Sequence, residues 1–311
     1  MKKSIEYSKK IFPVLTITVT TNGLLLDSEK FRFLKEKGVR LSLSIDGPPS
    51  IHDLHRKMKE TKTGSFNKIL KNIREIPVEE KKKIAVNMVI TPARCSALME
   101  RFLFIRKLGF LNIRFYPVFQ SWWWGKDNIK CFEQAMLDFS KEYCKLFIYK
   151  RCEDIFIIGN MRDILKSRLV LRNKVYCVED KLEDCNSIWL DTNGNFYICE
   201  RVLGLNLSRK ARYKVGDVEN GIDFSLRAGL LSMAGKSFRK VLAKTNIKDK
   251  DCWFCPFSFY FRDNIEGRFG RGESFLFYFQ ILEIYRKAFY NIFATLKTNI
   301  LFRKMYGLDG S

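Results

Sequence analysis

The sequence predicts an α/β protein that consists of a partial, open β/α barrel, a small cysteine-rich domain and C-terminal helices. Short β-rich runs alternate with amphipathic helical stretches through residues 1–120, which is the pattern of parallel β/α units. Five of the nine cysteines fall between residues 177 and 255, and an aromatic stretch with helical spacing fills residues 275–306. These observations predict domains at 1–125, 126–174 (a helical connector), 175–265 and 266–311.

Four strands are predicted in the barrel region: Val14–Thr20, Arg40–Asp46, Ile84–Ile90 and Asn112–Pro117. The Gly47-Pro48-Pro49 run after the second strand forbids its continuation, because proline lacks the backbone donor that a strand needs. The sequence therefore predicts four β/α repeats before residue 120.

Helices connect these strands, and each has a recognisable start or end. The helix over residues 28–37 ends at Gly38, the expected glycine after a helix. Ser65 is the predicted cap of the next helix. Its apolar face carries four residues: Phe66, Ile69, Leu70 and Ile73. The pair Thr91-Pro92 predicts the start of a third helix, which stops at Gly109.

Composition limits the compartment and the partners. A content of 46% hydrophobic residues argues against disorder, and the formal charge of +22 is spread along the chain instead of forming a stripe. We expect a solvated basic surface and no nucleic-acid partner, because no recognised nucleic-acid motif is present. No apolar run is long enough for a membrane span. The cytoplasm is the expected location, where disulfides are uncommon.

The cysteine-rich segment predicts a metal site. Its cysteines are Cys177, Cys185, Cys199, Cys252 and Cys255. The run CNSIWLDTNGNFYIC alternates apolar residues around Asn193-Gly194, which predicts a hairpin that brings Cys185 and Cys199 together. The CxxC pair then approaches from a later loop. Clustered thiolates of this kind select zinc or an iron–sulfur cluster, and the spacing alone does not choose between them. The alternative is a set of scattered core cysteines.

The remaining cysteines and aromatic residues leave fewer clues to function. Cys95, Cys131, Cys144 and Cys152 match no ligand spacing, so they are interpreted as packing residues. The loop Trp122-Trp123-Trp124-Gly125 lies just past the fourth strand, where it either walls a substrate pocket or plugs the interface with the next helix. The aromatic helices of residues 275–306 are expected to pack on the barrel.

Three motifs carry a family resemblance: TTNGLLL at 20–26, SLSIDGPPSIHDLHR at 42–56 and TGSF at 63–66. Together they resemble the radical S-adenosylmethionine (SAM) enzymes that mature sulfatases and ribosomal peptides. The cysteine-rich segment resembles the SPASM domain that follows the barrel of those enzymes. The resemblance covers residues 14–120 and 177–262. It implies an open six-stranded barrel, of which about four strands are present in this chain. In such enzymes a [4Fe–4S] cluster cleaves SAM to a radical that abstracts hydrogen from a peptide.

The resemblance also implies roles for particular residues. Ser44, in the SIDG match, is the expected SAM contact, and Asn22, Asp46 and Arg56 are further candidates for the same pocket. Their alternative roles are a turn residue, a turn or helix-cap carboxylate and a surface cation. Glu200 follows Cys199, where related enzymes have a carboxylate that acts as a base. Alternatively, Glu200 is an exposed charge at a strand end.

Two departures from the family pattern shape the functional prediction. The chain contains no CxxxCxxC, the motif that holds the radical-generating cluster, and no cysteine follows Cys255. We therefore expect an N-terminally truncated gene model, a split subunit with an N-terminal companion polypeptide, or a decayed fragment. One auxiliary [4Fe–4S] cluster is expected on Cys177, Cys185 and Cys199, and the CxxC pair would leave a second cluster half ligated.

The predicted function is the C-terminal part of a radical SAM peptide or protein maturase of the sulfatase-maturating type. Such a chain is an oxidoreductase by resemblance, and it uses SAM only if the missing N-terminal part is supplied. The alternative is a non-catalytic metal-binding module that recognises a peptide, either as a remnant or as a partner subunit.

Overall fold

The computed structural model describes residues 2–11, 14, 16–118, 124–162, 165, 188–199, 202, 207–242 and 273–308. The chain divides into two compact units. The first comprises residues 1–169 and 283–311, and the second comprises residues 170–282.

A five-stranded parallel sheet forms the centre of the first unit. Its strands lie side by side in chain order: β1 (Thr18–Thr21), β2 (Arg40–Ser44), β3 (Ala85–Ile90), β4 (Asn112–Pro117) and β5 (Ile157–Ile158). All neighbouring strands are parallel, so their carboxyl ends share one edge of the sheet. The predicted α/β fold is confirmed, and β1 is shorter than the sequence predicted.

Helices make the crossovers that parallel strands require. They are α1 (Lys2–Ile11) before β1, α2 (Ser28–Glu36) after it, then α3 (Pro49–His55), α4 (Phe66–Arg74) and α5 (Val78–Lys81) between β2 and β3, α6 (Leu98–Lys107) before β4, and α7 (Lys126–Ile148) before β5. Gly38, with φ of 58°, and Gly109, with φ of 100°, follow α2 and α6 in the left-handed region. Both predicted helix ends are therefore confirmed.

The start of α4 differs from the sequence prediction. Phe66, Ile69 and Ile73 are buried as expected. The Ser65 side chain, however, does not cap the helix. The Asp53 carboxylate accepts the Phe66 amide hydrogen instead, at 3.0 Å. Sequence reasoning favoured the nearest hydroxyl, whereas the cap comes from a residue in the preceding helix.

The helix predicted to start at Thr91-Pro92 also begins later. Arg94 adopts a left-handed conformation, with φ of 57°, and a single 3₁₀ turn over Cys95–Ala97 precedes α6. The Thr91 hydroxyl lies 3.3 Å from Nε2 of His55, so it connects the end of β3 to α3. The segment between β3 and α6 is therefore a loop with a left-handed residue and a 3₁₀ turn, and not the first turn of the predicted helix.

Strand β5 interrupts the segment that the sequence predicted as a helical connector, residues 126–174. Helix α7 has the predicted helical character, whereas Ile157 and Ile158 pair with Asn112 and Ile113 of β4. Buried tyrosines hold this short strand: Tyr143 donates to the Phe156 carbonyl at 2.6 Å, and the Ile158 amide donates to the Tyr306 hydroxyl at 2.9 Å. An apolar run this short has no diagnostic periodicity.

The C-terminal aromatic region is helical, as predicted, in α10 (Glu273–Leu296) and α11 (Ile300–Tyr306). Its residues in the first unit pack on the sheet. Tyr285 stacks on Phe115 of β4, with ring centroids 5.0 Å apart. The Tyr306 hydroxyl lies 2.8 Å from that of Tyr143 on α7. These contacts cover the apolar side of the sheet.

The second unit contains a four-stranded antiparallel sheet: β6 (Trp189–Leu190), β7 (Asn195–Tyr197), β8 (Lys214–Asp217) and β9 (Gly221–Ile222). Helices α8 (Leu207–Lys210) and α9 (Phe224–Leu242) accompany it. The predicted hairpin at Asn193-Gly194 is confirmed as β6–β7, and Gly194 supplies the positive φ of 82°.

The hairpin turn is held by a carboxylate. Asp191 accepts the amide hydrogens of Asn193 and Asn195, and it pairs with Lys210 at 2.6 Å. The hydrogen bond from Lys210 holds the pKa of Asp191 well below its ordinary value. No helix in the described part of the chain combines the length and apolar character of a membrane span.

Candidate functional site

Alternate side chains of β2, β3 and β4 form a polar face on the sheet. We call it the polar row; its residues are Ser42, Ser44, Asn87, Arg114 and Tyr116. Strand register places Ser44 beside Asn87 and Asn87 beside Arg114. The Asn87 amide donates to the Ser42 hydroxyl at 2.9 Å, which confirms a shared face. The opposite face is apolar, and the side chains there, such as Leu43, are fully buried.

The polar row approaches the carboxyl edge of the sheet, where parallel α/β folds bind their ligands. Ser44 is the last residue of β2 and is half-buried. Asn22 follows β1 at the same edge, and its side chain accepts the Leu24 amide hydrogen at 3.1 Å. That bond belongs to a turn, which is the alternative role recognised in the sequence. The structure therefore places both residues at the expected edge.

Asp46 and Arg56 form a partly buried ion pair. Arg56 Nε lies 2.5 Å from Asp46 Oδ2, and Arg56 Nη2 lies 3.0 Å from Oδ1. Asp46 Oδ1 also accepts the Val89 amide hydrogen at 2.8 Å. One carboxylate thus links the segment after β2, the end of α3 and the end of β3. Asp46 acts here as a positioning residue beside the polar row, and Arg56 is its bidentate partner.

His52 completes this local network. Its Nδ1 lies 3.2 Å from the Asp46 amide nitrogen, and its Nε2 lies 3.0 Å from the Ser65 hydroxyl. Because Nδ1 accepts a backbone hydrogen, the proton of the neutral ring is on Nε2. The Ser65 hydroxyl donates onward to the Arg56 carbonyl at 2.9 Å. Burial lowers the pKa of His52, and the nearby Asp46 charge partly opposes that shift.

The depressed pKa of His52 predicts acid sensitivity. The unfolded chain protonates His52 near its ordinary pKa of about 6.5, before the folded chain does. Stability from the neutral ring is therefore present above that pH and is lost as the pH falls through the lower folded pKa. We expect the free energy of unfolding to fall as the pH drops below about 6.5, and to fall less in His52→Asn.

Urea denaturation across this pH range measures the effect. His55→Asn is the matched control, because the sequence has two histidines and His55 is exposed. Identical pH profiles for wild type and His52→Asn would show that the His52 ring does not contribute to the acid sensitivity.

Arg101 supports the same region from inside the core. It is fully buried and donates to the carbonyl oxygens of Val89, Ala93 and Arg94 at 3.3, 3.2 and 3.1 Å. A Cβ at Gly47 would lie 3.0 Å from the Arg101 Cγ, and Gly47 has a φ of 130°. The glycine of the SIDG motif therefore admits Arg101 next to Asp46. Burial lowers the pKa of Arg101, and Asp46 counteracts this.

Sequence reasoning missed Asn87, Arg114 and Tyr116. Their signal was present as polar residues alternating with apolar ones in AVNMVI and NIRFYP. Gly159, just past β5, gives Arg114 its space, because a Cβ there would lie 2.5 Å from the Arg114 Cγ. Hydroxyl, amide and guanidinium groups together offer both donors and acceptors, which suits a polar ligand that carries a carboxylate.

Most of the predicted metal site lies outside the described residues. Cys177, Cys185, Cys252 and Cys255 are in this group, and so is Glu200. Cys199 is described: it is buried, two residues past β7. Within the described ranges, no three histidine, cysteine, aspartate or glutamate side chains cluster as metal ligands.

The other aromatic and cysteine predictions have mixed outcomes. Trp122 and Trp123 lie outside the described residues, whereas Trp124 is buried, donates to the Val118 carbonyl at 2.7 Å and packs on Phe132. Trp124 is thus a plug, one of its two predicted roles. Two of the predicted packing cysteines are buried, Cys95 and Cys144, and two are exposed, Cys131 and Cys152.

Residues 1–93 match the model of the Radical SAM superfamily. This range holds β1, β2, β3 and all four predicted SAM-contact residues: Asn22, Ser44, Asp46 and Arg56. This match supports, over residues 1–93, the radical SAM resemblance that the sequence motifs indicate.

The chain is also similar to anaerobic sulfatase-maturating enzymes. It is 24% identical over 266 residues to the cysteine-type enzyme of Clostridium novyi (strain NT), which is 83% of this chain and 66% of that protein. It is 40% identical over 74 residues to the serine-type enzyme of Bacteroides thetaiotaomicron, which is 23% of this chain and 18% of that protein. The chain spans slightly under two thirds of the first relative.

Solved structures show the same fold. The structure of native anSMEcpe with bound AdoMet has a TM-score of 0.62 at 16% identity, over 99% of this chain and 79% of that chain. The same enzyme with bound AdoMet and a Kp18Cys peptide has a TM-score of 0.56 at 16% identity, over 88% and 80%. The likeness therefore reaches well beyond the segment that matches the superfamily.

Proposed function

We propose that this chain is part of a radical SAM maturase that modifies a peptide or protein, as sulfatase-maturating enzymes do. The observation that carries the proposal is the polar row at the carboxyl edge of a parallel sheet, whose residues Ser42, Ser44 and Asn87 lie inside the Radical SAM match. The sulfatase-maturating relatives support the reaction class.

The polar row suits the polar groups of SAM. Ser44, at the end of β2, provides a hydroxyl, and Asn87 and Arg114 provide an amide and a guanidinium beside it. The Asp46–Arg56 pair fixes the loop that follows Ser44. When bound together with a reduced [4Fe–4S] cluster, SAM supplies a hydrogen-abstracting radical. The protein's own residues bind and orient the cofactor.

The radical-generating cluster needs ligands that this sequence does not contain. The 311 residues include no CxxxCxxC, so in the proposed enzyme those three cysteines come from outside them, either on the same polypeptide or on a companion. Cleavage of SAM by this chain alone would contradict that part of the proposal. Cleavage that appears only when a polypeptide with the motif is added would support it.

The substrate proposed is a peptide or protein, because a solved relative of the same fold binds AdoMet together with a peptide. Glu200 stays the predicted base, and Cys177, Cys185 and Cys199 stay the predicted ligands of one auxiliary [4Fe–4S] cluster. Cys252 and Cys255 stay predicted metal ligands that would leave a second cluster half ligated. The cytoplasm stays the proposed compartment, from cysteine usage.

Ser44→Ala is expected to weaken SAM binding about fivefold, which corresponds to the loss of one hydrogen bond of about 1 kcal/mol. Isothermal titration of the folded chain under anaerobic conditions measures the dissociation constant. Ser50→Ala is the matched control, because Ser50 is an exposed serine on α3. Equal affinities for wild type and Ser44→Ala would remove Ser44 from the site.

Anaerobic reconstitution with iron and sulfide tests the auxiliary cluster independently. We expect about four irons for each wild-type chain and a marked loss in Cys199→Ser. Cys144→Ser, in a buried cysteine of α7, should retain the iron. A chain that binds iron but not SAM would favour the non-catalytic metal-binding alternative. Equal iron content in all three proteins would exclude Cys199 as a ligand.

A further inference from the structure

Two cysteines that match no ligand spacing in the sequence lie against each other in the first unit. The Cys95 sulfur, in the 3₁₀ turn before α6, is 2.8 Å from the Cys131 sulfur in α7. Cys95 is buried, whereas Cys131 is exposed. The two residues are 36 positions apart, so only the fold brings them together. The pair therefore has one thiol open to solvent and one behind it.

The distance between the two sulfurs distinguishes a zinc site from a pair that forms a disulfide. Two thiolates on one tetrahedral zinc ion, with Zn–S bonds of about 2.3 Å, have sulfurs about 3.8 Å apart. The observed 2.8 Å is too close for that arrangement. No third histidine, cysteine or carboxylate joins the pair as a metal ligand among the residues that the structure describes. A sulfur–sulfur bond needs only a small further approach.

We propose that Cys95 and Cys131 are a redox pair, which a hydroperoxide oxidises to a disulfide. The Cys131 thiolate attacks a peroxide oxygen, the O–O bond breaks, and water leaves once the hydroxide is protonated. The Cys95 sulfur then attacks the Cys131 sulfenic acid, breaks its S–O bond and loses its proton to the departing hydroxide. Two thiols lose two electrons, and one hydrogen peroxide becomes two waters.

The asymmetry of the pair sets the order of these steps. Burial, together with the neighbouring Cys131, raises the pKa of the Cys95 thiol to about 12. Cys95 therefore stays protonated at neutral pH and is a poor first nucleophile. Cys131 has the access to solvent that a soluble oxidant requires. Cys95 is then the resolving thiol, already in contact with the sulfur that it must attack.

The disulfide would restrain the loop between β3 and α6, next to the candidate site. It joins α7 to the loop between β3 and α6, and that loop supplies the Ala93 and Arg94 carbonyl groups that hold Arg101. Arg101 packs in turn against Gly47, next to Asp46. Oxidation would therefore restrain the support of the Asp46–Arg56 pair. This inference does not depend on the proposed radical chemistry.

Peptide mapping of the intact chain tests the proposal directly. The reduced protein is treated with hydrogen peroxide, remaining thiols are alkylated, and the protein is digested with trypsin. Cleavage after Arg94, Arg101, Lys130 and Lys141 releases Cys95 and Cys131 on separate peptides, 95–101 and 131–141. We expect these two peptides to appear joined by a disulfide and to separate on reduction. The melting temperature should rise by about 5–10 °C.

Two variants control the measurement. Cys131→Ser should abolish both the joined peptide and the peroxide-dependent rise in melting temperature. Cys152→Ser, which removes another exposed cysteine, should leave both unchanged. Recovery of fully alkylated 95–101 and 131–141 after peroxide treatment would overturn the proposal. So would over-oxidation of Cys131 to a sulfinic acid while Cys95 remains a free thiol.

Discussion

Replacing Asp46 with alanine is expected to lower the free energy of unfolding of the first unit by about 3–5 kcal/mol. The Asp46 side chain is only 9% exposed, and it pairs with Arg56, whose side chain is 27% exposed. Removing the carboxylate leaves the guanidinium partly buried without its partner and takes the acceptor away from the Val89 amide. Both the lost ion pair and the lost hydrogen bond connect the segment after β2 with α3 and β3.

Urea denaturation of wild type and variants at neutral pH measures this effect. Asp46→Asn keeps an oxygen for the Val89 amide but removes the charge, so its loss should be intermediate. Glu142→Gln is the control, because Glu142 pairs with Lys145 on the exposed surface, where ion pairs contribute about 1 kcal/mol or less. A loss below about 1 kcal/mol for Asp46→Ala would show that the ion pair does not hold this region together.

Regular elements were predictable where periodicity was long enough to read. The strand Asn112–Pro117 has the predicted bounds, and α7 and the C-terminal helices fall where their patterns placed them. Strand β5 escaped prediction because two residues carry no period, and its partners are β4 and the Tyr306 hydroxyl, which is 148 residues further along the chain than Ile158.

Local capping was less predictable, because side chains compete for the same backbone groups. Ser65 has the residue type of a helix cap, but its hydroxyl accepts a hydrogen bond from His52 and donates one to the Arg56 carbonyl. Asp53 takes the capping bond instead. Thr91 likewise contacts His55 instead of starting a helix. In each case the deciding partner comes from a different element.

The candidate site was predictable in part. The sequence motifs indicated Ser44, Asp46 and Arg56, and the structure places Ser44 in the polar row. That Asp46 and Arg56 bind each other could not be read from the sequence, since ten residues separate them and a helix brings them together. The contact between Cys95 and Cys131 is invisible for the same reason.

The second large effect is expected for Phe102→Ala, which should cost about 3–5 kcal/mol of folding free energy. Phe102 on α6 is fully buried, and its ring centroid lies 4.8 Å from those of Phe139 and Phe156 and 5.1 Å from that of Phe115. These rings belong to α7, β4 and the residue before β5. Truncation would therefore open a cavity where three elements meet.

Denaturation of Phe102→Ala beside Phe224→Ala separates cavity formation from a general loss of aromatic surface. Phe224 is 68% exposed, so its truncation should change the free energy of unfolding by about 0.5 kcal/mol or less. Phe102→Leu refills most of the volume and should recover much of the loss. Similar free energies for Phe102→Ala and Phe224→Ala would mean that the apolar side of the sheet is not a packed core. The polar row would then lack the rigid support on which its alignment depends, because β4 carries Phe115 on one face and Arg114 on the other.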